Sequence, residues 1–147
     1  MKIGLDLHGC IDKYPIIFRQ LSNKLYESGH EIHVITGQEW DKVEPEVEKA
    51  CIQFTHHFSI VDYHKALGTE MWKNDKGTWQ MDEKDWVRSK GDYIHREHID
   101  IHFDNSWEYA IFVPDFCTFI LVPKSGFHEF VELFFDDAYF NNRKRFA

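Results

Sequence analysis

The 147-residue chain contains 43% hydrophobic and 16% aromatic residues, which is enough to build one folded core and argues against intrinsic disorder. Its formal charge of −8 argues against broad binding to nucleic acid or anionic membranes, although a bound divalent metal would still allow a small phosphorylated ligand. The sequence shows no signal peptide and no apolar run of the roughly 20 residues that a membrane span needs, and its three cysteines are odd in number and widely spaced. We therefore expect one cytoplasmic domain comprising residues 1–147.

The chain opens with the pattern of a β-strand followed by a loop and a helix. An apolar run ends on Asp6 and enters a glycine-containing loop, which places a carboxylate at the C-terminal tip of the first strand. Pro15 is suited to the first position of a helix, apolar residues follow at helical spacing, and Gly29 is a natural stop. Residues 31–35 then alternate as a second strand, which leads into Thr36 and Gly37.

Strand and helix patterns continue to alternate along the rest of the chain. The predicted elements are a helix over about residues 44–54, a strand over 58–63, a small hairpin-like insertion around 67–81, a helix from Asp82 to about His98, strands over 99–103 and 116–122, and a last helix over 128–139. This alternation predicts a three-layer, Rossmann-like α/β fold, with a mainly parallel sheet of about five strands covered by helices on both faces.

Three polar residues each follow the end of a predicted strand: Asp6, Thr36 and Asp104. Because the carboxyl ends of parallel strands open onto one crevice, residues far apart in sequence can meet there. Aspartate is also common in turns, so any one of these positions has a purely structural explanation. The three positions together, with a suitably placed lysine, predict a single active site.

The chain resembles the haloacid-dehalogenase-like phosphatases in four segments between about residues 2 and 122. Asp6, Gly9 and Asp12 match the nucleophile motif, and the segment that ends on Thr36 and Gly37 resembles the second motif. Lys90 resembles the third motif, and the segment around Asp104 resembles the fourth, acidic motif. The resemblance implies a fold of that type without a large cap.

The resemblance also implies a magnesium-dependent phosphomonoester hydrolase. Asp6 would attack the phosphorus atom to form an aspartyl-phosphate, while Thr36, Gly37 and Lys90 would bind the phosphoryl group. Asp6, Asp104 and the main-chain carbonyl of His8 would hold Mg²⁺, whose charge offsets the repulsion between the carboxylate and the phosphate.

His8 departs from the family, whose phosphatases carry an aspartate at this position as the acid and base. An imidazole can transfer protons near neutral pH, so His8 is a candidate catalytic acid and base, but as a cation it would sit unfavourably beside magnesium. Three interpretations stay open: a working acid and base, a slowed or retuned phosphatase, and a phosphate- and metal-binding module without catalysis. Asn105 replaces a second acid that often follows the metal aspartate, which lowers the negative charge there.

The remaining histidines lack the spacing of a zinc motif, so we expect ordinary surface or core residues, including His56, His57, His95 and His98. The tryptophans around the insertion are interpreted as packing of a hairpin, with an aromatic lid as the alternative. The expected partner is a small phosphorylated substrate such as a nucleotide.

Overall fold

The computed structural model describes residues 1–127. In chain order its elements are β1 (Lys2–Asp6), α1 (Pro15–Glu27), β2 (Glu31–Thr36), α2 (Trp40–Lys49), β3 (His56–Ser59), α3 (Ile60–Leu67), β4 (Trp72–Lys73), β5 (Trp79–Gln80), α4 (Glu83–Glu97), β6 (Ile101–Asp104) and β7 (Thr118–Leu121). The predicted helix over residues 128–139 lies outside the described residues. None of the helices within residues 1–127 combines the length and the apolar character that crossing a bilayer requires.

Five strands form a parallel sheet in the spatial order β3, β2, β1, β6, β7. The central strand β1 is buried along nearly its whole length. One core cluster joins β1 and β2 to α1 and α2, through residues such as Phe18 and Val47. The other joins β2 and β3 to α3 and α4, through Ile60 and Ile94. The predicted parallel α/β architecture, with helices on both faces of the sheet, is confirmed.

The predicted hairpin is confirmed as the antiparallel pair β4 and β5. The Asn74 side chain fixes its turn by accepting hydrogen bonds from the backbone N–H groups of Lys76 and Thr78, both at 3.0 Å. Gly77 adopts a φ of 74° in this turn, which a side chain would disfavour. The predicted cap of α4 is also confirmed, since the Asp82 carboxylate accepts from the N–H of Lys84 at 3.0 Å.

The boundaries predicted for α2 are wrong at both ends. The helix begins at Trp40 because the Asp62 carboxylate accepts the Trp40 N–H at 2.8 Å, a contact between distant segments. Pro45, which would suit the first turn of a helix starting near residue 44, lies inside the observed helix. It ends at Lys49, and Cys51 then takes a left-handed φ of 55°.

The third strand is displaced from its predicted range of 58–63. It covers His56–Ser59, and the apolar residues from Ile60 onward begin α3 instead. The Ser59 hydroxyl caps this helix by accepting the Asp62 N–H at 3.0 Å. The β-branched pair Ile60 and Val61 is typical of a strand, but here the cap decides the outcome.

A 3₁₀ segment over Trp107–Phe112, which the sequence did not predict, packs against α4. Gly91 makes this contact possible, because a Cβ at that position would overlap the backbone of Phe112. The close approach brings the 3₁₀ segment beside Lys90, the neighbour of Gly91 in the helix.

We predict that Gly91→Ala destabilises the protein by about 1–3 kcal/mol, even though alanine favours a helix by about 1 kcal/mol over glycine. The overlap with Phe112 forces the 3₁₀ segment away from α4. Urea unfolding followed by circular dichroism measures the change. Asp92→Ala on the exposed side of the same helix is the control, expected to stay within about 0.5 kcal/mol. Equal or greater stability of Gly91→Ala would contradict the packing described.

Candidate active site

Asp6 and Asp104 end adjacent strands at the centre of the sheet. Leu5 of β1 pairs with Phe103 of β6, so the two aspartates are the next residues along these strands. The strand order reverses between β1 and β6, because β2 and β3 extend from one side of β1 and β7 lies beyond β6. Such a switch point opens a crevice at the carboxyl ends of the strands, where α/β proteins bind ligands.

Lys90 of α4 joins the two aspartates. Its Nζ lies 2.7 Å from Asp6 Oδ1 and 2.7 Å from Asp104 Oδ2. The three residues have exposed fractions of only 2% for Lys90, 4% for Asp6 and 0% for Asp104. The ammonium also lies 4.1 Å from the centroid of the Tyr109 ring, a favourable cation–π contact with the 3₁₀ segment.

The charges of this group are strongly coupled. Burial alone would lower the pKa of Lys90, but the charges of Asp6 and Asp104 raise it well above its ordinary value, so the ammonium is protonated. Burial raises the pKa of Asp6, with Lys90 opposing and the like charge of Asp104 reinforcing the rise. Burial also acts to raise the pKa of Asp104, but a hydrogen bond from His102 and the charge of Lys90 outweigh it and lower that pKa to about 2.

His102 supports Asp104 from within the sheet. Its Nε2 lies 3.2 Å from Asp104 Oδ2, and the ring is completely buried. The opposite residue on β1 is Gly4, and a Cβ there would come within 2.6 Å of His102 Nδ1. The glycine therefore leaves the space that the imidazole occupies.

A tight, largely buried turn over Leu7–Ile11 follows Asp6. Gly9 has a φ of 92°, and its N–H donates to Asp12 Oδ1 at 2.6 Å. A Cβ at Gly9 would overlap the side chain of Asn105. Both the backbone conformation and the contact with Asn105 thus require glycine at this position.

The amide of Asn105 marks the point where two oxygen atoms converge. With its nitrogen turned toward them, it donates to the His8 carbonyl oxygen at 2.8 Å and to Asp6 Oδ2 at 3.2 Å. Neighbouring oxygen ligands of an octahedral Mg²⁺ ion stand about 2.9 Å apart. The distances from the Asn105 amide atom to the His8 carbonyl oxygen and to Asp6 Oδ2 are close to this value. With the opposite amide orientation, Asp6, the His8 carbonyl and the Asn105 oxygen would hold a magnesium ion, so the residues fit that metal.

Asp104 has fewer free lone pairs for a metal ion, because both of its carboxylate oxygens already accept hydrogen bonds. Its Oδ2 faces Lys90 and His102, and its Oδ1 accepts the Ser106 N–H at 2.9 Å. A carboxylate oxygen that accepts one hydrogen bond retains a second lone pair, so Oδ1 is the atom through which Asp104 would reach a cation.

The predicted phosphate-binding residues lie at the end of β2, beside β1. Asp6 pairs with Ile35, and Thr36 follows directly. The buried Thr36 hydroxyl accepts the Gln38 N–H at 3.2 Å, which leaves its own proton for donation to a ligand. Gly37 lies against the Trp86 ring, where a Cβ would come within 2.9 Å of the indole.

The side chain of His8 points toward α2. Its Nε2 lies 3.4 Å from Glu46 Oε2, and both side chains are about half exposed, at 43% and 50%. A carboxylate at this distance can orient the imidazole. Nothing in the sequence indicated this contact, because Glu46 and His8 lie on different elements far apart in the chain.

A cavity of about 450 Å³ is lined in part by residues of α4 and of the 3₁₀ segment. Trp79, Trp86 and Tyr109 line it together with Gln38, and the Trp86 Nε1–H donates to the Tyr109 hydroxyl at 3.0 Å. Tyr109 connects the cavity to the active site because its ring also contacts Lys90.

The sequence located the three charged residues of the site but missed several of their neighbours. His102 had one detectable signal, its position two residues before Asp104 on the same face of a strand. Tyr109 had none, because it lies in a 3₁₀ segment without a recognisable pattern. Cys10, in the loop after Asp6, is a buried core residue whose thiol pKa is raised by burial, as a packing role predicts.

Comparisons of this chain with protein-family models and with curated proteins found no match. The geometry of the site therefore carries the functional argument.

We predict that Lys90→Met destabilises the protein by about 3–5 kcal/mol, because it leaves two buried carboxylates without a cation. Adding Asp6→Asn to this variant should recover part of the loss, since it removes one uncompensated charge. Urea unfolding of the two single variants and the double variant gives the coupling free energy. Additive effects of the two substitutions would contradict a direct ion pair.

Proposed function

We propose that this protein is a magnesium-dependent phosphomonoester hydrolase of the haloacid-dehalogenase type. The carrying observation is the contact of Lys90 with both Asp6 and Asp104 at the switch point of the sheet. From the resemblance in sequence we expect these three residues to meet, although they lie on elements far apart in the chain.

The nucleophile in this proposal is Asp6. Its carboxylate attacks phosphorus, the bond to the substrate oxygen breaks, and an aspartyl-phosphate forms. Water then attacks the same phosphorus atom, which releases inorganic phosphate and regenerates Asp6. A bound magnesium ion would supply positive charge that reduces the repulsion between the carboxylate and the phosphate.

Lys90 and Thr36 stabilise the phosphoryl group. Lys90 already lies between two carboxylates and keeps its proton, so it can donate to a phosphoryl oxygen without reorganising the site. The Thr36 hydroxyl and the N–H groups of the loop after Asp6 provide further donors.

His8 transfers the protons. As an imidazolium it protonates the leaving oxygen, and as a neutral imidazole it takes a proton from the attacking water. Glu46, 3.4 Å from its Nε2, orients the ring. In this mechanism the ring would leave Glu46 to reach the substrate.

The substrate would place its organic group in the cavity beside Tyr109. Aromatic side chains there can stack on a planar base, while Gln38 and Gln80 can form hydrogen bonds to its edge. These features favour a nucleotide or a similar aromatic phosphomonoester.

The second candidate function is a phosphate- and metal-binding module without catalysis. The pairing of His8 with Glu46 favours it, because that contact directs the imidazole toward the surface. Magnesium-dependent turnover would separate the two functions, since a binding module retains the ligand and releases no product.

We predict that Asp6→Asn lowers the turnover of an aryl phosphate by at least about a thousandfold, because an amide is a poor nucleophile. Initial rates with magnesium measure the effect, with thermal unfolding as a check on folding. Asp100→Asn is the matched control, because Asp100 lies at the opposite end of β6 and accepts the Lys2 N–H at 2.7 Å. Turnover that survives Asp6→Asn would exclude this nucleophile, and no turnover of any substrate by the wild type would favour the binding module.

We predict that His8→Asp preserves or raises activity and shifts the acidic limb of the pH–rate profile to lower pH. The reference pKa of an aspartate, about 3.9, lies below that of a histidine, about 6.5, so the base stays deprotonated in more acidic solution. The variant should be combined with Glu46→Gln, because two carboxylates would otherwise face each other. His8→Asn provides the variant without acid or base. Loss of all activity in His8→Asp/Glu46→Gln would mean that His8 has a different role.

A further inference from the structure

Three potential metal ligands meet at the edge of the sheet opposite the active site. Glu31 and His33 belong to the first half of β2, and His56 is the first residue of β3. His33 and His56 are partners in the register of these parallel strands. Their rings stack with centroids 4.5 Å apart and planes 13° apart.

The ligand atoms of the three side chains surround one point. His33 Nε2 lies 3.5 Å from Glu31 Oε2, His56 Nδ1 lies 4.0 Å from the same oxygen, and all three ligand atoms lie within 4.8 Å of one another. Ligands about 2.0–2.1 Å from a tetrahedral zinc ion stand roughly 3.3 Å apart. Coordination would therefore require the Glu31–His33 distance to shorten by about 0.2 Å, the Glu31–His56 distance by about 0.7 Å and the distance between the two histidine nitrogens by at most about 1.5 Å.

A separate observation indicates a ligand at this point. His33 is completely buried, and its Nε2 has no hydrogen-bond partner among the described residues. A buried polar atom without a partner costs about 1–3 kcal/mol, so such atoms are rare without a function. This nitrogen faces the carboxylate of Glu31 at a distance too long for a good hydrogen bond.

The Nδ1 atom of His33 has a hydrogen-bond partner of the kind found in many metal sites. His33 Nδ1 lies 2.7 Å from the hydroxyl of Tyr93, on α4. When Nδ1 carries the proton and donates it to this hydroxyl, Nε2 presents a lone pair toward Glu31 and His56. Metal-binding histidines commonly use such a partner to fix their tautomer and orientation.

We propose that Glu31, His33 and His56 bind a divalent transition metal of the zinc type. Two imidazoles and one carboxylate form a ligand set that zinc accepts, with water in the fourth position. Magnesium is not expected here, because it prefers oxygen ligands. The site is therefore independent of the magnesium chemistry proposed near Asp6, and either proposal can fail without the other.

Two existing contacts of the ligand residues compete with metal binding. Lys2 Nζ lies 3.3 Å from Glu31 Oε2 and opposes a second cation at that oxygen. His56 Nδ1 also contacts the Thr55 hydroxyl at 2.9 Å. That hydroxyl keeps two backbone hydrogen bonds with Ile32 when His56 turns away, so the change costs little.

The metal would join an edge strand to the body of the sheet. β3 is the last strand on its side, and the site spans β2 and β3 at the beginning of both strands. A metal bound only by the folded chain stabilises it against unfolding.

Titration of the full chain with Co²⁺ and Zn²⁺ tests the site. We expect one Co²⁺ per chain, with the visible absorption bands of four-coordinate cobalt, its displacement by Zn²⁺, and a higher melting temperature with Zn²⁺. His56→Ala and Glu31→Gln change half-exposed residues and should weaken binding by about tenfold or more. Lys2→Gln should tighten binding, because it removes the competing positive charge.

The matched control is His57→Ala, on the same strand with its side chain on the opposite face. We expect this variant to bind Co²⁺ within about twofold of the wild type. A crystal soaked in Zn²⁺ should give an anomalous scattering peak between Glu31, His33 and His56. Unchanged affinity in both His56→Ala and Glu31→Gln, or a peak only at other histidines, would overturn the proposal.

Discussion

A lysine buried between two carboxylates is the interaction on which the centre of this structure depends. Asp6 and Asp104 end neighbouring strands in the buried interior, where two negative charges close together repel each other strongly. Lys90 offsets that repulsion with hydrogen bonds to both. Its position depends in turn on α4, on Gly91 and on the 3₁₀ segment that packs there. The fold therefore presents a preorganised group of charged residues at the crevice of the sheet.

Such a group suits phosphoryl transfer because most of that chemistry is electrostatic. The polar surroundings have two layers. Lys90, Thr36 and the loop N–H groups face the crevice, while His102 and the Ser106 N–H hold Asp104 from behind. Asn105 links the Asp6 carboxylate to the carbonyl of His8, so a single amide connects the loop to the end of β6. In the proposed mechanism, charge stabilisation would rest on buried residues and proton transfer on the half-exposed His8, which contacts Glu46.

The two ends of the sheet differ in the metal chemistry that their residues favour. At the carboxyl ends of the strands, carboxylate, carbonyl and amide oxygens surround the loop after Asp6, a set that suits a hard cation. At the opposite end, imidazoles from β2 and β3 meet one carboxylate, a set that suits a softer ion. Sequence spacing detected only the first set. His33 and His56 are more than twenty residues apart, and strand pairing alone makes them neighbours.

Local patterns in the sequence determined much of the fold: the alternation of strands and helices, the hairpin at Asn74, the cap at Asp82, and the aspartates at two strand ends. These features depend on side-chain period and on residues close in sequence, so they can be recognised without a structure. The tertiary structure decided the rest. Contacts between distant segments began α2 at Trp40, set Glu46 against His8 and buried Lys90 between Asp6 and Asp104. Strand order and side-chain packing bring these residues together, and neither is encoded in any short stretch of the chain. By itself the sequence placed Asp6 at a strand tip and indicated Lys90 as a member of the same site, and only the folded chain determined that Lys90 contacts both Asp6 and Asp104, because helix packing sets that geometry.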